Sequence, residues 1–299
     1  MKALSFISTL AFFVHAHAVK AVPTEGFFLP DSVREVTFNY RSVNNLIILP
    51  VRINENDVVN LVLDTGCRNL ILFGKRFKNM IDTEEQRQIS FNGLGQGKPA
   101  RGFVTLENNV SFSKVIGKKI AIVVVPERNV FANYPIIDGI IGYELFLKFE
   151  IEVDFARHKI TFRPASFSFP STDFKLIPLR IEDSRPVVSC TIFFSETEEE
   201  TCDLLIDTGS CLGLLFTAPQ TGRINRMNSV VLGRGLNGYV SGKKLMANKV
   251  LLGDFALHDL STGVVRSASH HYASLGTEVL KDYTLLINYY KGYAGLRQN

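Results

Sequence analysis

Along this chain apolar residues gather in short runs, often alternating with polar ones, and Asn, Asp, Gly and Ser cluster between the runs. That pattern predicts β-strands joined by tight turns, because successive side chains of a strand point to opposite faces. Helical periodicity is nearly absent. Residues 22–45, with FFLP and EVTFNY, read as an edge strand and a turn. NLIILPVRI, the turn NEND and VVNLVLDTG then predict a β-hairpin that delivers Asp64. RPVVSCTIFF, the acidic turn SETEEE and TCDLLIDTG predict a second hairpin that delivers Asp207, with Glu198–Glu200 as a solvated tip.

The pattern repeats. LVLDTGCRNLIL (61–72) returns as LLIDTGSCLGLLF (204–216), and IGYELFLKFEIEVDF (141–155) aligns without a gap on LGTEVLKDYTLLINY (275–289). The second alignment sets Gly142 on Gly276, Glu144 on Glu278, Phe149 on Tyr283 and Phe155 on Tyr289. Asp154 meets Asn288, which differs in charge, so Asp154 reads as a turn residue. Between these elements each half carries closely spaced glycines: Gly93, Gly95 and Gly97, then Gly233, Gly235 and Gly238. The proline- and serine-containing stretch FRPASFSFPSTDFKLIP (162–178) separates the repeats. The expected units are therefore 22–165 and 179–299, joined by a linker over 166–178.

One Asp-Thr-Gly reads as an ordinary turn. Two copies in matching apolar frames point instead to a duplicated unit that brings two carboxylates together. On these triplets, the segment FNGLGQGKPARGF (91–103) and the stretch IIDGIIGYELFLKFEIEVDFARHKITF (136–162), the sequence resembles the retropepsin-like aspartic peptidases. The resemblance implies an all-β fold of two similar pepsin-type lobes, a single-chain pseudo-dimer of six to seven strands per lobe with a central cleft. It implies that Asp64 and Asp207 are the catalytic pair, supported by Thr65, Gly66, Thr208, Gly209 and Ser210. It makes the two glycine-rich segments flaps, packs Gly142 and Gly276 behind the catalytic turns, and starts a short helix at Tyr143–Leu147. A water held between the carboxylates would hydrolyse a peptide or protein substrate, with no metal or cofactor, in a monomer with internal pseudo-two-fold symmetry. One carboxylate pKa would fall and the other rise. The chain departs from the pattern at Cys67, where Ser, Thr or Ala is usual, and at YASLG (272–276), which lacks the IDG of the first half. Two other classes stay open: a non-catalytic peptide-binding module of the same fold, and a structural protein whose turns are only turns.

Hydrophobic residues at 46% and charged ones at 21% fit a soluble globular protein. The net charge of +4, without a basic stretch interleaved with aromatics, gives no reason to expect a nucleic-acid partner. Lys2, the apolar run Leu4–Val14 and Ala16-His17-Ala18 read as a signal peptide over 1–18, which predicts export to a periplasm or the outside and no stable membrane insertion after its removal. In such a compartment Cys190 and Cys202, on the two strands of the second hairpin, are the candidate disulfide. The alternative is that Cys67, Cys190, Cys202 and Cys211 are all small packing residues. His270 and His271 lack further spaced ligands and read as loop residues rather than a metal site.

Overall fold

The computed structural model describes residues 25–54, 57–81, 87–91, 93–95, 97–127, 131, 133–166, 172–217, 228–265 and 272–299. The segment read as a signal peptide and the pair His270-His271 lie outside these residues. Most of the described chain is β-strand, as the runs of apolar residues predicted. No described helix is long and apolar enough to cross a membrane.

In the first half β1 (Gly26–Phe28), β2 (Val36–Asn39) and β3 (Arg41–Val43) precede the hairpin of β4 (Leu46–Ile53) and β5 (Asp57–Leu63). β6 (Leu70–Phe73), β7 (Arg87–Phe91), β8 (Ala100–Phe112), β9 (Val115–Val125) and β10 (Gly139–Ile141) follow, then helix α1 (Tyr143–Lys148), β11 (Phe149–Asp154) and β12 (Lys159–Pro164). The second half runs through β13 (Lys175–Pro178), β14 (Arg180–Glu182), β15 (Arg185–Phe193), β16 (Glu199–Ile206), β17 (Leu214–Thr217), β18 (Val230–Gly235), β19 (Gly238–Leu252), β20 (Phe255–Val265) and β21 (Ala273–Leu275). It ends with α2 (Thr277–Leu280), β22 (Tyr283–Asn288) and β23 (Tyr293–Gln298).

From β2 onward the order of the first half recurs in the second, and so do the pairings. β10 lies parallel to β5 and antiparallel to β6, as β21 does to β16 and β17. Each half opens with a two-residue turn at positive φ, Asn44-Asn45 and Asp183-Ser184, residue types that tolerate the left-handed conformation such hairpins need. Asp154 and Asn288 do the same work despite their different charge. Their side-chain oxygens accept the N–H of Arg157 at 2.8 Å and of Lys291 at 2.9 Å, closing equivalent turns.

Three details differ from the sequence expectation. Six to seven strands per half becomes a nine-stranded sheet, an eight-stranded sheet and a six-stranded sheet to which both halves contribute. The long strands explain the excess: β8, with 13 residues, pairs with β4, β7 and β9, and β19, with 15, pairs with β15, β18 and β20. The shared sheet has the order β13-β23-β22-β11-β12-β2, so residues 175–178 of the expected linker are a strand. Finally, Glu199 and Glu200 belong to β16, and the tip is closed one residue earlier by Phe194 N–H to Glu198 C=O at 2.8 Å. The seam of the shared sheet pairs Ile151 with Ile287 and Val153 with Leu285. All four are buried in one apolar core that continues through both halves, so the halves are held by the same burial that holds each one together.

Candidate active site

Each Asp-Thr-Gly follows a buried strand and is tied to the strand that precedes the later glycine. Asp64 N–H donates to Ile141 C=O and Asp207 N–H to Leu275 C=O, both at 2.9 Å. The turns then fold back on their own carboxylates: Gly66 N–H reaches Asp64 Oδ1 at 2.7 Å, and Gly209 N–H reaches Asp207 Oδ1 at 3.0 Å. Gly142 and Gly276 lie directly behind these turns. A β-carbon on Gly142 would sit 2.0 Å from the Asp64 carbonyl oxygen, and one on Gly276 would sit 2.8 Å from that of Ser210, so neither position has room for a side chain. Tyr143 N–H and Thr277 N–H, just past the glycines, fasten the same turns through Cys67 C=O and Ser210 C=O at 2.9 and 2.8 Å.

The threonines join the two turns to each other. Thr65 N–H donates to Thr208 Oγ1 at 3.1 Å and Thr208 N–H to Thr65 Oγ1 at 3.0 Å. The hydroxyls donate onward across the boundary, Thr65 Oγ1 to Ile206 C=O at 2.5 Å and Thr208 Oγ1 to Leu63 C=O at 2.8 Å. Both threonines are fully buried, so every one of these groups needs its partner. The result is that each aspartate abuts the other turn: a β-carbon on Gly209 would lie 2.5 Å from both Asp64 oxygens, and one on Gly66 would lie 3.7 Å from Asp207 Oδ1.

Two half-buried carboxyls in one place cannot both carry charge cheaply. Burial pushes Asp64 up to about 6 against the pull of Gly66 N–H and the Arg185 guanidinium. Burial and then the Asp64 charge push Asp207 up to about 7. The expected split, one pKa falling and one rising, is therefore replaced by two raised values, because loss of hydration acts on both groups. Around neutral pH such a pair holds a proton that one carboxyl can give while the other accepts.

Cys67 and Ser210 support the carboxylates of Asp64 and Asp207 through their backbone N–H groups, and their side chains brace the turns. The Cys67 thiol donates to Asn69 C=O at 2.9 Å, and Ser210 Oγ accepts from Leu212 N–H at 3.3 Å. The glycine-rich segments meet each other. Asn237 N–H donates to Leu94 C=O at 3.0 Å and Gly97 N–H to Asn237 C=O at 2.5 Å. Gly93, Gly95, Gly97 and Gly235 lie where this crossing leaves no space for a β-carbon, whereas Gly233 and Gly238 do not touch the opposing segment so closely. The tips also exchange leucines. Leu236 packs on the first-half patch of Cys67, Ile71, Phe73, Val123 and Val125, and Leu94 packs on the second-half patch of Leu215, Val240 and Val265.

Cys190 and Cys202 are cross-strand partners, as expected, with sulfurs 3.5 Å apart. Both are free thiols. Several contacts had no signal in linear spacing. Tyr289 donates its hydroxyl to Thr65 C=O at 3.2 Å while its ring stacks on Phe146; the repeat marked the position but not the hydroxyl, since Phe155 is its counterpart. Arg68 grips Asp183 and Ser184, and Asn45 reaches Glu278 at 3.1 Å, so each half's opening turn docks beside the other half's site.

No family model matches this chain, and no curated protein matches it.

Proposed function

We propose that this chain is an aspartic endopeptidase of the retropepsin-like type, a single-chain pseudo-dimer of two β lobes, 22–165 and 179–299, with a cleft between them. The observation that carries the reading is the reciprocal Thr65–Thr208 hydrogen bonding, which sets Asp64 and Asp207 against each other's turns. In the proposed reaction the ionised carboxylate takes a proton from a water as the water oxygen attacks the peptide carbonyl carbon. The protonated carboxyl gives its proton to the carbonyl oxygen. As the diol collapses, one hydroxyl gives its proton to the ionised carboxylate while the protonated carboxyl gives its own to the amide nitrogen and the C–N bond breaks, so the dyad is again singly protonated. The substrate is a peptide or protein in extended form, covered by the segments around Gly95 and Gly235, which must part to admit it. Export ahead of residue 19 belongs to the same reading, because the amino-terminal pattern is that of a signal peptide.

Digestion of a denatured protein by the purified chain tests this. Asp64→Asn and Asp207→Asn should each lower turnover by roughly 10²- to 10⁴-fold, since an amide fills the space but cannot act as the base. The rate should peak between the two titrations of the pair, near about 6 and about 7, and fall on both sides. Wild-type turnover in either variant sinks the peptidase reading. Peptide binding without turnover in the unaltered chain would favour the non-catalytic module instead.

A further inference from the structure

The two halves share equivalent strands in the same register, yet the residues at equivalent positions differ in chemistry. Val104 and Val123 pair across β8 and β9 where Lys244 and Gly263 pair across β19 and β20. Ile140 lies opposite Ile71 where Ser274 lies opposite Leu215. Leu46, the first residue after the opening turn, corresponds to Arg185. On the first-half side the replaced residues are part of apolar patches: Leu46 packs with Ile48, Val62 and Ile137, and Ile140 touches that patch as well as the one containing Cys67. On the second-half side bulk has been removed and hydrogen-bonding or cationic groups introduced.

Arg185 is the decisive member. It stands directly after the Asp183-Ser184 turn that Arg68 grips, and Arg68 is the fourth residue beyond Asp64. Its guanidinium lowers the proton affinity of both Asp64 and Asp207, so its charge reaches the pair. Among the described residues its one ion-pair partner is Asp183, through Nη1 at 3.3 Å, and Asp183 is already held by Arg68. The neighbouring acids are committed elsewhere: Glu182 to Arg180 and the Tyr272 hydroxyl, Asp203 to Arg180. Nε and Nη2 of Arg185 are thus left to a ligand, and two adjacent guanidinium N–H groups match a carboxylate.

Resting on the peptidase reading, we infer that the site selects peptides with an acidic side chain beside the scissile bond on the Arg185 side and an apolar side chain on the Leu46 side. The paired halves then read a direction along the substrate.

Peptides identical except for Glu, Gln or Leu at each position flanking the cleaved bond decide the matter. The unaltered chain should prefer Glu over Gln and Leu at one flank by roughly 10- to 100-fold in kcat/KM, and Leu at the other. Arg185→Leu should abolish or reverse the Glu preference, and Arg185→Lys should leave part of it. The same Glu-to-Leu ratio is read as binding affinity to Asp207→Asn, which needs no turnover. A chain that cleaves nothing would therefore overturn the peptidase reading while its binding ratio still judges the selectivity. Equal affinity for the Glu and Leu peptides, or a preference unchanged in Arg185→Leu, overturns the inference.

Discussion

The turn presenting Asp64 and the turn presenting Asp207 are bonded alike: one strand carbonyl behind each aspartate, one glycine N–H on each carboxylate, one threonine hydroxyl crossing to the other half. A few ångströms away the likeness ends. Leu46 and Ile140 correspond to Arg185 and Ser274, and the buried valine pair Val51–Val59 of the first hairpin stands where the second has Cys190–Cys202. The positions kept alike are those whose buried polar groups have a single geometry of satisfaction. Those that diverged are packing positions, where side chains of different size and polarity can be accommodated.

The likeness at the centre is broken most directly by removing a crossing hydroxyl. Thr65→Ala and Thr208→Ala should each cost about 4 kcal/mol, because each strands two buried partners. Denaturant unfolding should give nearly equal values for the two. A difference as large as the loss itself would mean that the centre is not symmetric.

Titration sharpens the comparison. Both aspartates have raised pKa values in the folded state, so the native chain binds protons that the unfolded chain releases. Stability from these groups is fully present below the ordinary carboxylate range and is lost as pH rises towards about 6 for Asp64 and about 7 for Asp207. Unfolding at pH 4 and pH 7 should differ by on the order of 3 kcal/mol through Asp64 alone. Asp207→Asn should flatten that slope and raise stability at pH 7. A slope unchanged by the variant would show that the dyad does not carry it.

The hairpins come next. Mild oxidation should join Cys190 to Cys202, consuming two thiols and adding about 2 to 3 kcal/mol from the short loop closed. In reducing buffer, Cys190→Val with Cys202→Val copies the first hairpin and should cost less than about 1.5 kcal/mol. Failure of the two thiols to couple under oxidant would make them packing residues. The smallest effect is expected at the turn itself. Cys67→Ser makes the first turn like the second and keeps a donor for Asn69 C=O, so stability should change by no more than about 1 kcal/mol. A larger loss would locate the value of Cys67 in its apolar packing with Ile71 and Phe73.

Much of this was legible in the chain alone. Apolar runs and turn residues marked the strands and both hairpins, since strand pattern and turn chemistry are local. Recurrence of Asp-Thr-Gly and the gap-free match of residues 141–155 on 275–289 marked the duplication, with Asp64, Asp207, Gly142 and Gly276 at matching places. Other features depended on what the fold brings together. The shared sheet arises because β11 of one half meets β22 of the other, a choice that neither strand's alternation expresses. The crossing of Leu94 and Leu236, the grip of Arg68 on Asp183 and the hydroxyl of Tyr289 on Thr65 join residues far apart in sequence. The direction of both carboxyl pKa values was decided there too, because a formula for paired charges omits the burial that acts on both. What the sequence determined by itself was the set of strands and the two aspartates that end them; the tertiary structure alone decided which groups surround those carboxyls, because desolvation and partner geometry exist only once distant segments are packed together.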